Sequence, residues 1–189
     1  VNGARLVVLW LKMYMKGRTM KFIHLSDLHI GKRVNGFSML EDQKYILDQI
    51  VMIAEEEMPD GVLIAGDVYD KPVPPAEAVQ VFDAFLTGLA DRNLPVFVIS
   101  GNHDSPERLA FGGQLMKDRR VYMAPVYDGH LEPVQLEDRY GSLRVYMLPF
   151  IKPAVVRRCC PEEGIETFED AVHREVLEET GIRIKNIRY

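Results

Sequence analysis

The stretch VLIAGDVYD, residues 62–70, decides the predicted fold class of this 189-residue chain. Four apolar residues are followed by the glycine of a turn, which is typical of a buried strand in a parallel sheet. Two similar apolar runs lie on either side of it, FIHL at residues 22–25 and VFVI at residues 96–99. We therefore expect three short buried strands.

The two intervals between these strands carry apolar residues at helical spacing. The positions are Leu40, Leu47, Ile50, Val51 and Ala54 in the first interval, and Ala78, Val81, Phe82, Phe85, Leu86 and Leu89 in the second. Strand, helix, strand, helix, strand is the order of an α/β layered fold. In such sheets ligands bind beyond the carboxyl ends of the strands, so residues far apart in sequence are expected to meet there.

A polar string follows each predicted strand: DLH at residues 27–29, GDVYD at residues 66–70 and GNHD at residues 101–104. Asp27 and His29 are two residues apart at a strand end, so in extended backbone both side chains point to one face and can bind one ion. A carboxylate with an imidazole suits Mn²⁺, Fe²⁺ or Zn²⁺ better than Ca²⁺. Asp67 has two oxygens and can bridge two ions, and Asn102 offers a neutral oxygen to the second ion.

The third string also supplies a candidate acid. His103 stands beside the second ion in this interpretation without binding it, and a histidine there can donate a proton to a leaving oxygen. Asp104 is expected to fix the tautomer of His103. Two ions that clamp the attacking and departing oxygens of a phosphodiester define a two-metal phosphoesterase site.

Each string taken alone has a simpler interpretation. Asp-x-His and Gly-Asp are also typical of surface turns and helix caps. Ser105, Pro106 and Glu107 make an ordinary helix start directly after the third string. The order of all three strings, each placed after a predicted strand, favours a metal site over three unrelated turns.

The three strings, in this order, resemble the first three motifs of the calcineurin-like metallophosphoesterases. Further strings resemble the SbcD-type nucleases within that family: HIGK at 29–32 with EDQ at 41–43, GNHDSPERL at 101–109 and LPF at 148–150. The resemblance runs from about Met20 to about Arg158. It implies an α/β, metallophosphoesterase-type sheet-and-helix sandwich.

The resemblance also implies roles for the residues of the strings. Asp27, His29 and Asp67 would hold a first ion, Asp67 and Asn102 a second, and His103 would be catalytic. The implied cofactors are two divalent metal ions, Mn²⁺ first, with Mg²⁺, Fe²⁺ or Zn²⁺ as alternatives.

The implied activity is metal-dependent exonuclease and endonuclease cleavage of DNA phosphodiesters in replication and recombination. The implied partners are DNA and an SbcC-type SMC-like ATPase, with a homodimer also left open.

One departure from the family pattern concerns histidines. The family completes its two ions with three further histidines, one alone and two in a Gly-His-x-His string on later strands. Of the five histidines here, His24 is expected in the core, His130 in a turn and His173 in the tail. We therefore expect a fold truncated before its second sheet is complete. Another calcineurin-like phosphoesterase, or an inactive truncated fragment, remain the alternatives.

Three segments are expected along the chain. Residues 1–19 are predicted to be an extension outside the fold, with a short added strand or helix as the alternative. Residues 20–160 would be the N-terminal part of the nuclease domain. Residues 161–189 would be a helical tail, in which residues 174–182 with Glu166 resemble part of a Nudix box, so a gene fusion near residue 165 would explain the tail.

Composition limits the mode of binding and the setting. A net charge of −5 and a pI near 5.6 argue against binding nucleic acid through an overall positive field. Lys32 and Arg33 are placed to touch a phosphate near the site. Adjacent Cys159 and Cys160 cannot pair without strain and have no metal-site spacing, so we expect a reducing, cytoplasmic setting. No apolar run reaches transmembrane length.

Overall fold

The computed structural model describes residues 7–15, 18–124, 126–138 and 141–159. The chain divides into two compact units, one of residues 1–126 with 131–150 and one of residues 127–130 with 151–189. The elements of the described residues are the strands β1 (Val7–Met15), β2 (Arg18–Ser26), β3 (Arg33–Val34), β4 (Phe37–Ser38), β5 (Gly61–Ala65), β6 (Val96–Ile99), β7 (Val121–Met123), β8 (Val134–Asp138) and β9 (Gly141–Val145), and the helices α1 (Leu40–Glu57), α2 (Ala76–Ala90), α3 (Pro106–Leu109), α4 (Gly113–Met116) and α5 (Pro153–Cys159), with a 3₁₀ turn at Lys117–Arg119.

The first unit is built on a five-stranded sheet with the strand order β1-β2-β5-β6-β7. Strands β2, β5, β6 and β7 run parallel to one another, and β1 is antiparallel to β2. The predicted strands are β2, β5 and β6, and the two predicted helices are α1 and α2. The α/β fold class expected from the sequence is confirmed.

Strand β1 differs from the prediction for residues 1–19. Residues 7–15 pair with β2 in continuous register, from Val7 opposite Ser26 to Met15 opposite Arg18. They therefore belong to the sheet, and the alternative of an added strand is the one that the structure contains. The physical reason is that β2 has a second edge of backbone hydrogen-bonding groups, which an apolar neighbouring segment can pair.

The core lies between one face of the sheet and the helices α1 and α2. Alternate strand residues join helix residues in one buried cluster, as the two-residue period of a strand requires. Its strand members are Ile23, Leu25, Val62, Ile64, Val96, Val98, Val121 and Met123, and its helix members are Leu47, Ile50, Ala54, Ala78, Phe82, Phe85, Leu86 and Leu89. The helices approach closely where Gly88 of α2 meets Val51 of α1.

The other face of the sheet carries the intervening residues. Phe22 and Phe97 are buried there, and the ring of Phe97 stacks on that of Tyr122 with 5.2 Å between centroids. His24, which was expected in the core, is half-buried on this face of the sheet. Because His24 lies within β2, it is not one of the loop residues that follow the end of this strand.

The remaining elements are small. Strands β8 and β9 form a two-stranded antiparallel sheet in the first unit. In the second unit the described residues form α5, whose Cys159 lies near Gly129. The tail expected at residues 161–189, with its Nudix-like string and His173, lies outside the described residues. None of the helices described here is long and apolar enough to cross a membrane.

The central strand allows a direct test of the core. Ile64 in β5 is 1% exposed, so the Ile64→Ala change leaves a cavity and is expected to lower the free energy of unfolding by about 2–5 kcal/mol. The same change at Ile53 of α1, which is 40% exposed, is the matched control and should cost less than about 1 kcal/mol. Urea unfolding measures both values, and equal losses would contradict the assignment of the core.

Candidate metal centre

Three loops leave the same edge of the sheet, after β2, β5 and β6. Backbone hydrogen bonds join each loop to the next: the His29 amide donates to the Asp67 carbonyl at 2.9 Å, and the Gly66 amide donates to the Ile99 carbonyl at 3.1 Å. Ile30 and Tyr69 continue this pairing as a parallel bridge. The three polar strings of the sequence therefore converge, as the predicted parallel order required.

Asp27, His29 and Asp67 form a cluster at the centre of these loops. One potential ligand atom from each residue lies within 4.8 Å of the other two. His29 Nε2 lies 3.9 Å from Asp27 Oδ1 and 3.8 Å from Asp67 Oδ2. Two ligands at about 2.1 Å from one ion can be separated by up to about 4.2 Å, so both distances suit a shared metal ion.

The backbone that presents these residues is not the extended chain expected from the sequence. Asp27 has φ 57°, His29 has φ 43° and Asp67 has φ 49°, all in the left-handed region. Strand β2 ends at Ser26, and the following residues bond to the loop after β5 instead of continuing a strand. Asp27 and His29 share a site because of this turn, and not because a strand places alternate residues on one face.

The second nitrogen of His29 supports the fit to a metal. His29 Nδ1 is buried without a hydrogen-bond partner among the described residues and faces Asp70 Oδ1 at 3.8 Å. Histidines that bind metal through one nitrogen commonly direct the other toward a carboxylate. Two carboxylates, an imidazole and a third carboxylate behind that imidazole are therefore a donor set suited to a divalent ion.

His103 lies beside this cluster. Its ring packs edge-to-face against the His29 ring with 5.0 Å between centroids. The His103 amide donates to Asp67 Oδ1 at 3.1 Å, and its ring Nδ1 lies 3.4 Å from the Asp70 carbonyl oxygen. Asn102 is exposed. The residues on either side of it, Gly101 and His103, both contact Asp67 through their backbone. The third string thus reaches the cluster through Asp67.

Asp104 has a different contact set from the one expected. It is 5% exposed, and its carboxylate accepts hydrogen bonds from the backbone amides of Val68 at 3.1 Å, Tyr69 at 2.9 Å and Gly101 at 2.8 Å. Its partners are therefore amides of two different loops and not the ring of His103. The expectation that Asp104 fixes the His103 tautomer is replaced by a role in joining the loops after β5 and β6.

Two glycines permit this close approach of the loops. A Cβ atom on Gly101 would lie 2.1 Å from Asp67 Oδ1, which leaves no room for a side chain. Gly66 has φ +83°, and a Cβ there would lie 3.0 Å from the Gly101 Cα. The sharp turn predicted at Gly66 is confirmed, and the requirement at Gly101 comes from contact with Asp67.

Tyr69 is buried below the loops. Burial raises the pKa of its hydroxyl to about 12, and the nearby negative charges of Asp104 and Asp83 act in the same direction. The ring packs edge-to-face on Phe82 of α2 at 5.6 Å between centroids. Tyr69 is therefore a neutral core residue that links the loop to the helix layer.

Two polar residues at the site had no role assigned from the sequence. Asp70 was part of the second string, and its side chain faces His29 while its carbonyl faces His103. Gln43, quoted only as part of a resemblance, lies in the first turn of α1 and bonds to the His29 loop. The fixed spacing in Gly-Asp-x-x-Asp was a signal for Asp70, whereas no spacing rule points to Gln43.

His130, the other candidate histidine, is not a member of this cluster. His130 is 88% exposed and lies 3.8 Å from Asp128. Among the described residues it belongs to no group of potential metal ligands. Its interpretation as a turn residue is consistent with the hydrogen bond from its amide to Asp128 Oδ1 at 3.1 Å.

The fold and this cluster define the class of protein. A family model described as calcineurin-like phosphoesterase matches residues 20–179, which include all three loops. The chain belongs to the calcineurin-like phosphoesterase family, whose members use divalent metal ions. The match also extends beyond residue 160, into the segment compared above with a Nudix box.

Two relatives have a more specific name. The chain is 35% identical over 168 residues to the SbcD subunit of nuclease SbcCD from Staphylococcus epidermidis, an alignment of 88% of this chain and 44% of that protein. It is 34% identical over 172 residues to the protein of the same name from Staphylococcus saprophyticus, an alignment of 87% of this chain and 45% of that protein. The chain thus spans less than half the length of these relatives.

A single substitution tests whether the Asp104 carboxylate joins the loops. In Asp104→Asn one oxygen is replaced by an NH₂ group, which leaves at least one buried backbone amide without an acceptor. We expect the free energy of unfolding to fall by about 1.5–3 kcal/mol. Urea unfolding of the metal-free protein measures it.

The control for this change is Asp91→Asn. Asp91 is exposed, and its carboxylate pairs with Arg119 at the surface. An exposed ion pair contributes at most about 1 kcal/mol, so the control should lose less than Asp104→Asn. A loss at Asp104 no greater than that at Asp91 would show that the loops are held together by other contacts.

Proposed function

We propose that this chain carries the first half of the catalytic centre of an SbcD-type, metal-dependent DNA nuclease. The observation that carries the proposal is the cluster of Asp27, His29 and Asp67 with His103 packed against it, at the carboxyl edge of the sheet. Membership of a metal-dependent phosphoesterase family and the name of the two relatives support it.

Each residue has a distinct part in this proposal. Asp27, His29 and Asp67 hold a first divalent ion, and Asp67 with Asn102 contributes to a second. When bound, the ions would act as Lewis acids that make water more acidic and would neutralise the charge on the phosphate under attack. Mn²⁺ is the proposed ion, with Mg²⁺, Fe²⁺ and Zn²⁺ as the other candidates.

His103 is proposed to donate a proton to the leaving oxygen of the cleaved ester. Its Nδ1 lies 3.4 Å from the Asp70 carbonyl oxygen, which can only accept a hydrogen bond, so this contact favours the tautomer with the proton on Nδ1. Nε2 would then take up a proton from solvent water and pass it to the leaving oxygen. Positioned proton transfer of this kind contributes about 10²–10⁴-fold to rate.

The proposed substrate is DNA, and the proposed partner is an SbcC-type SMC-like ATPase. The net charge of −5 means that the ions and the partner supply much of the attraction for the phosphate backbone. Lys32 supports a local contact, because it lines a cavity of about 220 Å³ that Asp27 also lines. In this proposal residues 20–160 belong to the nuclease domain, whose sheet also includes β1, and the protein is cytoplasmic, with a homodimer left open.

Metal binding and DNA cleavage by the purified chain test this function. We expect the wild-type chain to bind Mn²⁺ in equilibrium dialysis, and we expect any degradation of end-labelled linear duplex DNA to require Mn²⁺. Asp67→Asn removes a charge from the proposed shared ligand, so Mn²⁺ affinity and cleavage should both fall. Cleavage of a phosphopeptide but not of DNA would favour another phosphoesterase.

A second variant separates proton donation from metal binding. His103→Gln keeps a polar side chain but removes the titrating ring, so we expect cleavage to fall by about 10²–10⁴-fold while Mn²⁺ binding is retained. His130→Gln is the matched control and should change neither quantity, because His130 is exposed and outside the cluster. If the wild-type chain binds Mn²⁺ and cleaves nothing, the alternative of an inactive fragment is correct.

A further inference from the structure

Gln43 makes three hydrogen bonds to the loop that carries His29. Its Nε2 donates to the Leu28 carbonyl at 3.0 Å and to the His29 carbonyl at 2.7 Å, and its Oε1 accepts from the Gly31 amide at 3.0 Å. Two carbonyls need the NH₂ group and one amide needs the oxygen, so only one orientation of the side-chain amide satisfies all three. The side chain is therefore fixed by this one segment of the loop.

The segment needs such support because its backbone is strained. His29 has φ 43° and Gly31 has φ +90°, and a non-glycine residue in the left-handed region persists only where its surroundings hold it. The His29 amide is held from the β5 side by the Asp67 carbonyl at 2.9 Å. Gln43 holds the His29 carbonyl from α1, so the two contacts together fix the peptide groups that aim the ring.

The helix that carries Gln43 is a rigid base for this contact. Gln43 lies in the first turn of α1, and its backbone amide donates a hydrogen bond to the Met39 carbonyl at 2.9 Å. Leu47 and Ile50 of the same helix are buried in the core. A displacement of the His29 loop must therefore break bonds to an element that cannot move with it.

We propose that Gln43 is a positioning residue, which holds the His29 loop from α1 so that the His29 imidazole stays directed at Asp27 and Asp67 before any metal binds. The inference rests on the proposed function, because it takes this cluster to be the metal centre. It assigns Gln43 no contact with substrate or metal.

Gln43→Glu is the sharpest variant. The side chain keeps its size and the acceptor for Gly31, but a carboxylate oxygen replaces the NH₂ group and faces the carbonyls of Leu28 and His29. The added negative charge lies in the first turn of α1, where it favours the helix, and near the cation site, where charge alone would strengthen Mn²⁺ binding. A loss of Mn²⁺ affinity in this variant therefore reports displacement of the loop.

Mn²⁺ binding to the full chain, measured from the free-ion signal in electron paramagnetic resonance titrations, tests the proposal. We expect Gln43→Glu to weaken Mn²⁺ affinity by about 10–100-fold, the usual effect of losing a group that orients a ligand. Gln43→Ala removes the bonds without adding repulsion and should weaken it in the same direction by less. Gln49→Glu adds the same charge to α1 and should leave Mn²⁺ affinity unchanged. The Gln49 side chain bonds to Met52 of the same helix and not to the His29 loop.

Thermal unfolding with and without Mn²⁺ separates positioning from a structural role. A positioning role predicts that the rise in Tm on adding Mn²⁺ is smaller in the Gln43 variants than in the wild-type chain, whatever the metal-free Tm of each variant. A lowered metal-free Tm with wild-type Mn²⁺ affinity would overturn the proposal, and so would equal affinity of the Gln43 and Gln49 variants. If the wild-type chain binds no Mn²⁺, the proposed function fails together with this inference, whereas wild-type binding with unaffected variants sinks only the inference.

Discussion

The buried carboxylate of Asp104 is the interaction on which the site depends. It accepts amide hydrogen bonds from the loop after β5 and from its own loop after β6, so residues of two different loops are fixed to one carboxylate. A buried carboxylate is stable only when such donors surround it. The loops and the carboxylate therefore require each other, and the position of Asp67 against Gly101 follows from that arrangement.

The sheet and its helices supply the base for these loops. Parallel strands bring their carboxyl ends to one edge, and the core between the sheet and α1 and α2 makes that edge rigid. The cluster combines side chains of two neighbouring loops. Asp27 and His29 come from the loop after β2, and Asp67 comes from the loop after β5. His103 adds a titratable group from the loop after β6.

Much of this arrangement could be predicted from the sequence. The apolar runs at 22–25, 62–65 and 96–99 are strands, as predicted. The spacing of apolar residues from Leu40 to Leu89 predicted both long helices, because a helix that buries one face has apolar residues at regular intervals. The helix start at Ser105 and Pro106 was also predicted correctly.

Other features leave no such mark. The amides that donate to Asp104 and the groups that Gln43 bonds are backbone groups, which nearly every residue carries, so no residue pattern points to them. The left-handed backbone of Asp27 and His29 is set by bonds to another loop. The pairing of β1 depends on an available strand edge, which is a property of the assembled sheet.

The left-handed conformations of Asp27, His29 and Asp67 have a consequence for how this protein tolerates change. Each such residue costs folding free energy, of order 1–3 kcal/mol, that a glycine would not incur. Glycine at these positions would relieve the backbone but remove the proposed ligand, so selection for a more stable fold and selection for the proposed metal centre would oppose each other there. The backbone of these three residues therefore lowers the free energy of unfolding. Packing elsewhere in the sheet and helix layer has to offset that loss.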